Sequence, residues 1–260
     1  MRYEKGTMEL SPARDIPLLQ QVLRSGFVTG NQLYEFMRLE QTEGSRQAFD
    51  HRVRRLVGHG LIEKRPGLAR GRHQVYSISK DGASVLIDAG ELFAGRRNVD
   101  VVKQSCAHWL ELNEVHLALW RSRALVRWTP ATEICSQNLT SYRYAKDYDA
   151  VVAVGCDGGE ARFALEYERT PKTFGAYGEI ANTLEDETLV DTILYLASNY
   201  HLMCIVRDRV TPQRVRVCVG LVAEFMNKLL RTPVMIAGTT QRDIPFQNIL
   251  AQPRERRVRP

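Results

Sequence analysis

The chain of 260 residues lacks several things whose absence narrows its class. Charged residues interrupt every hydrophobic stretch before it nears the ~20 residues of a bilayer span, so no membrane association is expected. Behind Met1-Arg2-Tyr3-Glu4-Lys5 stands no apolar segment of the kind a secretory leader carries, so export is not expected. Cysteine is scarce and odd in number: Cys106, Cys135, Cys156, Cys204 and Cys218 contain no C-x-x-C spacing. That argues against a disulfide framework or zinc finger and predicts reduced, mostly buried thiols in a cytoplasmic protein. No metal-ligand spacing surrounds His51 or His59 either. What is present is an ordinary globular composition, 44% hydrophobic and 25% charged, enough for one large or two modest cores.

The net charge of +6 is unevenly placed. Residues 44–73 hold eight Lys and Arg against Asp50 and Glu63, a local excess of +6. The tail, 253–260, has Arg254, Arg256, Arg257 and Arg259 against Glu255, a further +3. The remainder is therefore mildly acidic, at −3. A concentrated basic segment on an acidic body is an electrostatic footprint for a polyanion, and the tail reads as a basic arm of non-specific attraction.

Asp15-Ile16-Pro17 is read as a helix start, with Asp as cap, and Leu18, Leu19, Val22 and Leu23 follow at helical spacing until Gly26. Thr29 and Gln32 form a capping box for a second helix with Leu33, Phe36 and Met37 on its apolar face. A third helix is predicted over 45–59, with Phe49, Val53, Leu56 and Val57 inward and Arg46, Gln47, Asp50, Arg54 and Arg55 outward. Gly60 then precedes a short alternating strand, a turn rich in Gly and Arg over 66–71, and a second strand over 73–78. Ser79-Lys80-Asp81-Gly82 opens another short helix.

This order resembles the winged helix-turn-helix family. The resemblance is carried by Arg52, Leu56, Gly60, Leu61 and Ile62, then a basic wing, then Val75, Tyr76, Ser77, Ile78, Ser79 and Gly82. It implies double-stranded DNA as the partner. Arg46, Gln47, Arg54 and Arg55 are the candidates to enter the major groove; Arg70, Arg72 and His73 sit at the wing tip, placed for phosphates or the minor groove. A solvated helix in a protein-interaction module is the plainer alternative.

Residues 94–98 are polar and mark a boundary, and 99–126 has unbroken helical periodicity, read as a connecting helix that packs on the next domain or pairs with a twin in a homodimer. His108, Asn113 and His116 along it are expected to serve packing. Beyond, strands are read over 149–154, 162–168, 201–206 and 215–219, a hairpin turn over 155–159, and helices over 173–184, 187–196 and 223–230, a mixed α/β sheet. Asp149 opens one strand, and Glu166 and Glu168 share a face of its hairpin partner by the period of two. Three carboxylates converging there would repel one another without a divalent cation such as Mg²⁺ between them, with Glu133 available as a fourth oxygen ligand.

The carboxylate pattern resembles the PD-(D/E)xK restriction-endonuclease-like superfamily. Joined to the first module and to His108-Trp109-Leu110 and Asn113, it is similar to the replication-relaxation family of plasmid and mobile-element proteins. The matching stretches are Asp149-Ala150-Val151 and Leu165-Glu166-Tyr167-Glu168-Arg169-Thr170. The resemblance implies Asp149 and Glu166 as metal residues. It also implies Glu168 in place of the usual lysine, as proton acceptor, with Lys172 or Lys146 supplying the positive charge in space. The fold class expected is thus α+β mixed: a winged helix domain over 1–95, a connecting helix over 96–128, a restriction-endonuclease-like α/β domain over 129–250 and a tail over 251–260. The function expected is sequence-specific DNA binding in transcription or in plasmid and mobile-element replication and transfer, with a nuclease-like domain either degenerate or active. A Mg²⁺-dependent endonuclease targeted by its winged helix is the alternative, and a protein-interaction scaffold a third.

Overall fold

The computed structural model describes residues 8–66, 74–91, 106–156 and 159–252. The expected wing-tip residues Arg70, Arg72 and His73, the boundary at 94–98, the start of the connecting helix, Asp157-Gly158 and the basic tail lie outside the described residues. The chain separates into two compact units, Met1–Leu117 and Ala118–Pro260.

The first unit runs α1 (Asp15–Ser25), β1 (Val28–Thr29), α2 (Gly30–Leu39), α3 (Arg46–Gly58), β2 (Ile62–Lys64), β3 (Val75–Ile78) and α4 (Lys80–Asp88). Its punctuation follows from short-range chemistry. The Thr29 hydroxyl accepts from the Gln32 amide at 3.2 Å while the Gln32 side chain accepts from the Thr29 amide at 3.1 Å, so two orphan donors of α2 are satisfied reciprocally. Ser45 caps α3 and Ser79 caps α4 through their hydroxyls. Gly26 and Gly60 take positive φ, which lets the chain turn out of α1 and past α3. Asp15, expected as a cap, is instead the first helical residue; Arg14 holds the cap position, and the Asp15 side chain is turned fully inward. The strands form one antiparallel sheet in the order β1-β3-β2, in which Val28-Thr29 adds a short strand between α1 and α2.

Helix α5 (Cys106–Arg121) completes this core as far as Leu117. Trp109 covers Gly26, where a Cβ would lie 2.7 Å from the indole, and Asn113 donates to the Phe27 carbonyl at 2.8 Å. The Gln32 amide donates to the Leu110 carbonyl at 2.8 Å. The run read as helix to Val126 stops short, because Arg123 takes φ 60° and the chain reverses into β4 (Leu125–Pro130). No glycine or proline announces that break.

The second unit is built on a seven-stranded mixed sheet in the order β10-β9-β8-β7-β6-β5-β4. After β4 come α6 (Ala131–Gln137), β5 (Ala150–Cys156), β6 (Gly159–Glu168), α7 (Phe174–Thr183), β7 (Thr192–Ala197) and α8 (Tyr200–Arg209). Then follow β8 (Arg216–Leu221), α9 (Val222–Lys228), β9 (Pro233–Ile236), β10 (Ile244–Pro245) and α10 (Phe246–Leu250). The pairs β4–β5–β6 are antiparallel, β6–β7–β8 parallel, and β8–β9–β10 antiparallel. One face of the sheet carries Val151, Ala164, Ile193, Tyr195 and Val217 into a core with Tyr177 of α7 and Leu202, Met203 and Val206 of α8.

Two expectations are reversed here. The segment 187–196 is not a helix: Thr192–Ala197 is buried along its whole length as strand β7, so it shows no polar alternation to separate it from a buried helix. The apolar run 201–206 is not a strand but the body of α8. Asn199 caps it by accepting from the Leu202 amide at 2.9 Å, and Leu202, Met203 and Val206 fall on one helical face. The short strands β9 and β10 and helix α10 were not anticipated.

Candidate functional site

Two clusters of charge stand apart from the ordinary surface, one in each unit. In the first, the exposed residues Gln47, His51, Arg54 and Gly58 of α3 recur at i, i+4, i+7 and i+11, one continuous stripe of the helix. Around it lies an open groove of about 480 Å³ lined by Ser45, Gln47, Ala48, His51, Arg52, Arg54 and Arg55. At Gly58 an added Cβ would meet nothing within 4 Å, so the stripe ends on bare backbone. Gln47 and His51 have no hydrogen-bonding partner among the described residues, and the Arg54 side chain donates only to the Asp50 carbonyl of its own helix, at 3.2 Å.

The other arginines of α3 are already engaged. Arg46 donates to Asp50 and to Asn31, both at 3.0 Å, and lies over the Tyr34 ring. Arg52 bridges Asp15 and Glu43 at 3.1 Å each, and Arg55 donates to the second oxygen of Asp15. Burial alone would raise the Asp15 carboxyl, but the Ser11 amide, Arg55 and Arg52 outweigh it and hold Asp15 below the usual carboxylate range. Arg65, beyond the helix, pairs with Glu63 at 2.6 Å. The sequence suggests a row of free guanidinium groups; the structure leaves a narrower stripe of Gln47, His51 and Arg54, on a helix anchored from beneath by buried ion pairs. Asp15 and Glu43, which do that anchoring, were not singled out from the sequence because the contact with Arg52 and Arg55 spans up to 40 residues.

The histidines of α5 stay in packing. His116 is buried against Phe36, ring centroids 4.9 Å apart, and burial with Arg24 nearby pushes it down to about 3. It is uncharged at neutral pH.

In the second unit the register pairing Ala150 with Leu165 carries Asp149 to the level of Glu166. Asp149 accepts from the Tyr167 amide at 2.7 Å. Glu166 is buried; its Oε2 pairs with Lys146 at 2.8 Å, while its Oε1 has no hydrogen-bonding partner among the described residues. Burial pushes Glu166 up to about 7, with Lys146 opposing and Asp149 adding to the shift. Glu168, also buried, forms an ion pair with Lys172. Both buried carboxylates are thus met by a lysine from outside the strand, Lys146 in the loop before β5 and Lys172 in the loop after β6.

Glu133, the residue available as a fourth oxygen ligand, is engaged by an arginine. It lies in the first turn of α6 and accepts from Arg127 at 2.7 Å. Among the described residues no three or more His, Cys, Asp or Glu side chains gather as a metal-holding group. The four-carboxylate convergence expected from the sequence is replaced by a pair, Asp149 and Glu166, flanked by lysines. That pair still suits Mg²⁺, which takes one or two protein carboxylates and keeps several waters, and the unbonded Oε1 of Glu166 is an oxygen ligand of the right kind.

Glu187 is a residue that sequence reasoning missed. It is buried, and its Oε2 accepts from the Ala145 amide at 3.0 Å and the Tyr148 hydroxyl at 2.7 Å. Its Oε1 accepts from the Leu189 amide at 2.7 Å and the Val190 amide at 3.3 Å. The loop that delivers Lys146 is thus pinned on both sides of the lysine, by Ala145 and Tyr148. Nothing local marks Glu187 for this role, since its partners lie about forty residues away in sequence. No helix among the described residues is long and apolar enough to cross a membrane. No protein-family profile, curated protein or solved structure matches the chain.

Proposed function

We propose that the chain is a sequence-specific double-stranded DNA-binding protein of a reducing, cytoplasmic compartment, acting in transcription or in replication and transfer of a plasmid or mobile element. In this reading the first unit is a winged helix module and α3 enters the major groove. The observation that carries it is the open, polar stripe Gln47-His51-Arg54 on a helix whose back is fixed by buried ion pairs. Gln pairs two-pronged with adenine and Arg with guanine, so this stripe is equipped to read base edges. Arg46 and Arg55, held by Asp50 and Asp15, are placed as phosphate contacts, joined by the wing residues Arg70, Arg72 and His73. A homodimer would present α3 twice, to the two halves of a palindromic site.

The test is selection of duplexes from a random library by the full chain. Enrichment of one motif supports the reading, and the Q47A and R54A exchanges should each weaken binding to that motif roughly tenfold. Recovery of unselected sequence, or full affinity in both variants, contradicts it.

A second reading is favoured by the Asp149–Glu166–Lys146 arrangement: a restriction-endonuclease-like second unit that cleaves DNA with Mg²⁺. Asp149 and Glu166 would hold the metal, whose chemistry is to offset charge on the scissile phosphate. Lys146 holds Glu166 in place and adds positive charge, while Glu168, kept next to Lys172, takes the proton of the attacking water. Plasmid nicking in Mg²⁺ that is lost in the E166A variant supports this reading; an intact plasmid with Mg²⁺ or Mn²⁺ leaves a DNA-binding protein with a degenerate site.

A further inference from the structure

Three buried tyrosines line the carboxylate site, and they differ in what their hydroxyls do. Tyr148 donates to Glu187, and Tyr177 accepts from the Lys172 amide at 3.1 Å. The hydroxyl of Tyr195, fully buried on β7, has no hydrogen-bonding partner among the described residues. Its register partner on β6 is Glu166, so both side chains leave the same face of neighbouring strands. Among the described residues, Oε1 of Glu166 and the Tyr195 hydroxyl are therefore an unmatched acceptor and an unmatched donor on one face of the sheet.

Buried hydroxyls and carboxylate oxygens without partners are rare, because each forfeits its hydration. A phenol keeps its proton at neutral pH and offers it as a donor. A tyrosine is also longer than a glutamate, so from adjacent positions its hydroxyl stands farther out than the carboxylate, and the two do not bond directly. What satisfies both is one small oxygen that accepts from the phenol and donates to the carboxylate. A carbonyl oxygen has no proton to give a charged Glu166, whereas a water accepts from the phenol and donates to the carboxylate. Lys146 already occupies Oε2, which leaves Oε1 as the oxygen of Glu166 without a partner among the described residues.

We propose that Tyr195 and Oε1 of Glu166 grip a single water between them, which makes Tyr195 a third polar member of this site. The idea deepens the cleavage reading by giving that site an ordered water. It does not depend on cleavage, since its test reads stability and solvent structure alone. A carboxylate oxygen has two lone pairs, so Oε1 can accept from this water and still be available to a Mg²⁺ held with Asp149.

The sign of one melting shift tests it. If the hydroxyl is merely buried and unsatisfied, Tyr195→Phe removes a penalty, and the full chain melts at or above the wild-type temperature. If it holds a water against Glu166, the same exchange strands a buried carboxylate oxygen. The melting temperature then falls by about 2–4 °C. Glu166→Gln combined with Tyr195→Phe should then shift melting by clearly less than the sum of the two single exchanges. A crystal structure with ordered solvent should place one water within hydrogen-bonding distance of both atoms. An unchanged or raised melting temperature for Y195F, additive shifts, or no such water would each overturn the proposal.

Discussion

Each unit buries carboxylates beside basic side chains, but the two arrangements are completed differently. Under α3, both oxygens of Asp15 are bonded, to Ser11, Arg52 and Arg55, and its carboxyl lies below the ordinary range. Around β6, Glu166 has one oxygen on Lys146 and one without a partner among the described residues, and its carboxyl is pushed up to about 7. A buried charge whose every lone pair is matched acts as a fastener, because removing any member strands the rest. A buried charge left half-matched costs stability, and such sites mark places where a further partner is to be bound. The comparison separates scaffold from candidate site: Asp15 fixes the helix that we propose reads DNA, and Glu166 is the carboxylate that we propose holds a further ligand.

The largest expected effect breaks the fastener. Asp15→Asn should destabilise the first unit by about 3 kcal/mol, because two arginines lose a shared buried partner. Denaturant unfolding would measure it, and a loss under about 1 kcal/mol would show that the network is not what anchors α3.

A pH titration sharpens the contrast, since the two carboxyls act with opposite sign. The lowered Asp15 contributes stability above its unfolded value near 3.8, and that stability is lost as pH falls through its folded value. The raised Glu166 binds a proton in the folded state that the unfolded chain has released. Its contribution therefore declines as pH rises from about 4.5 to about 7. Thermal melts across that window should fall with rising pH in the wild type and flatten in the E166Q variant. A slope unchanged by E166Q would remove Glu166 as its source.

The contrast depended on residues with unequal visibility in the sequence. The α2 cap and the two glycine turns were legible because their chemistry is local: Thr29 with Gln32, and Gly26 and Gly60 at the turns, all stand within four residues of what they bond or end. Asp149, Glu166 and Glu168 were legible from strand alternation. Residues 192–197 and 201–206 were exchanged in type because a strand buried on both faces and an apolar helix present the same unbroken run. Asn199, the cap that separates them, sits in a polar pair that also suits a turn. Asp15, Lys146, Glu187 and Tyr195 draw their meaning from partners 20 to 42 residues away or on a neighbouring strand, so no window of sequence contains it.

The smallest expected effect concerns the bare end of the stripe. Gly58→Ala adds a methyl where nothing stands within 4 Å, so it should stabilise the isolated chain by about 0.5–1 kcal/mol. If duplex backbone approaches that point, the same exchange weakens DNA binding while raising stability. A gain in stability with unaltered binding would move the contact surface away from the end of α3.

The most direct test of the whole account is salt-titrated binding of a selected duplex by the wild type and the R54A/Q47A double variant. The account predicts steep loss of wild-type affinity with salt and, in the variant, affinity reduced to the level of unselected DNA. Equal affinity of the two proteins for the selected duplex at every salt concentration would contradict it.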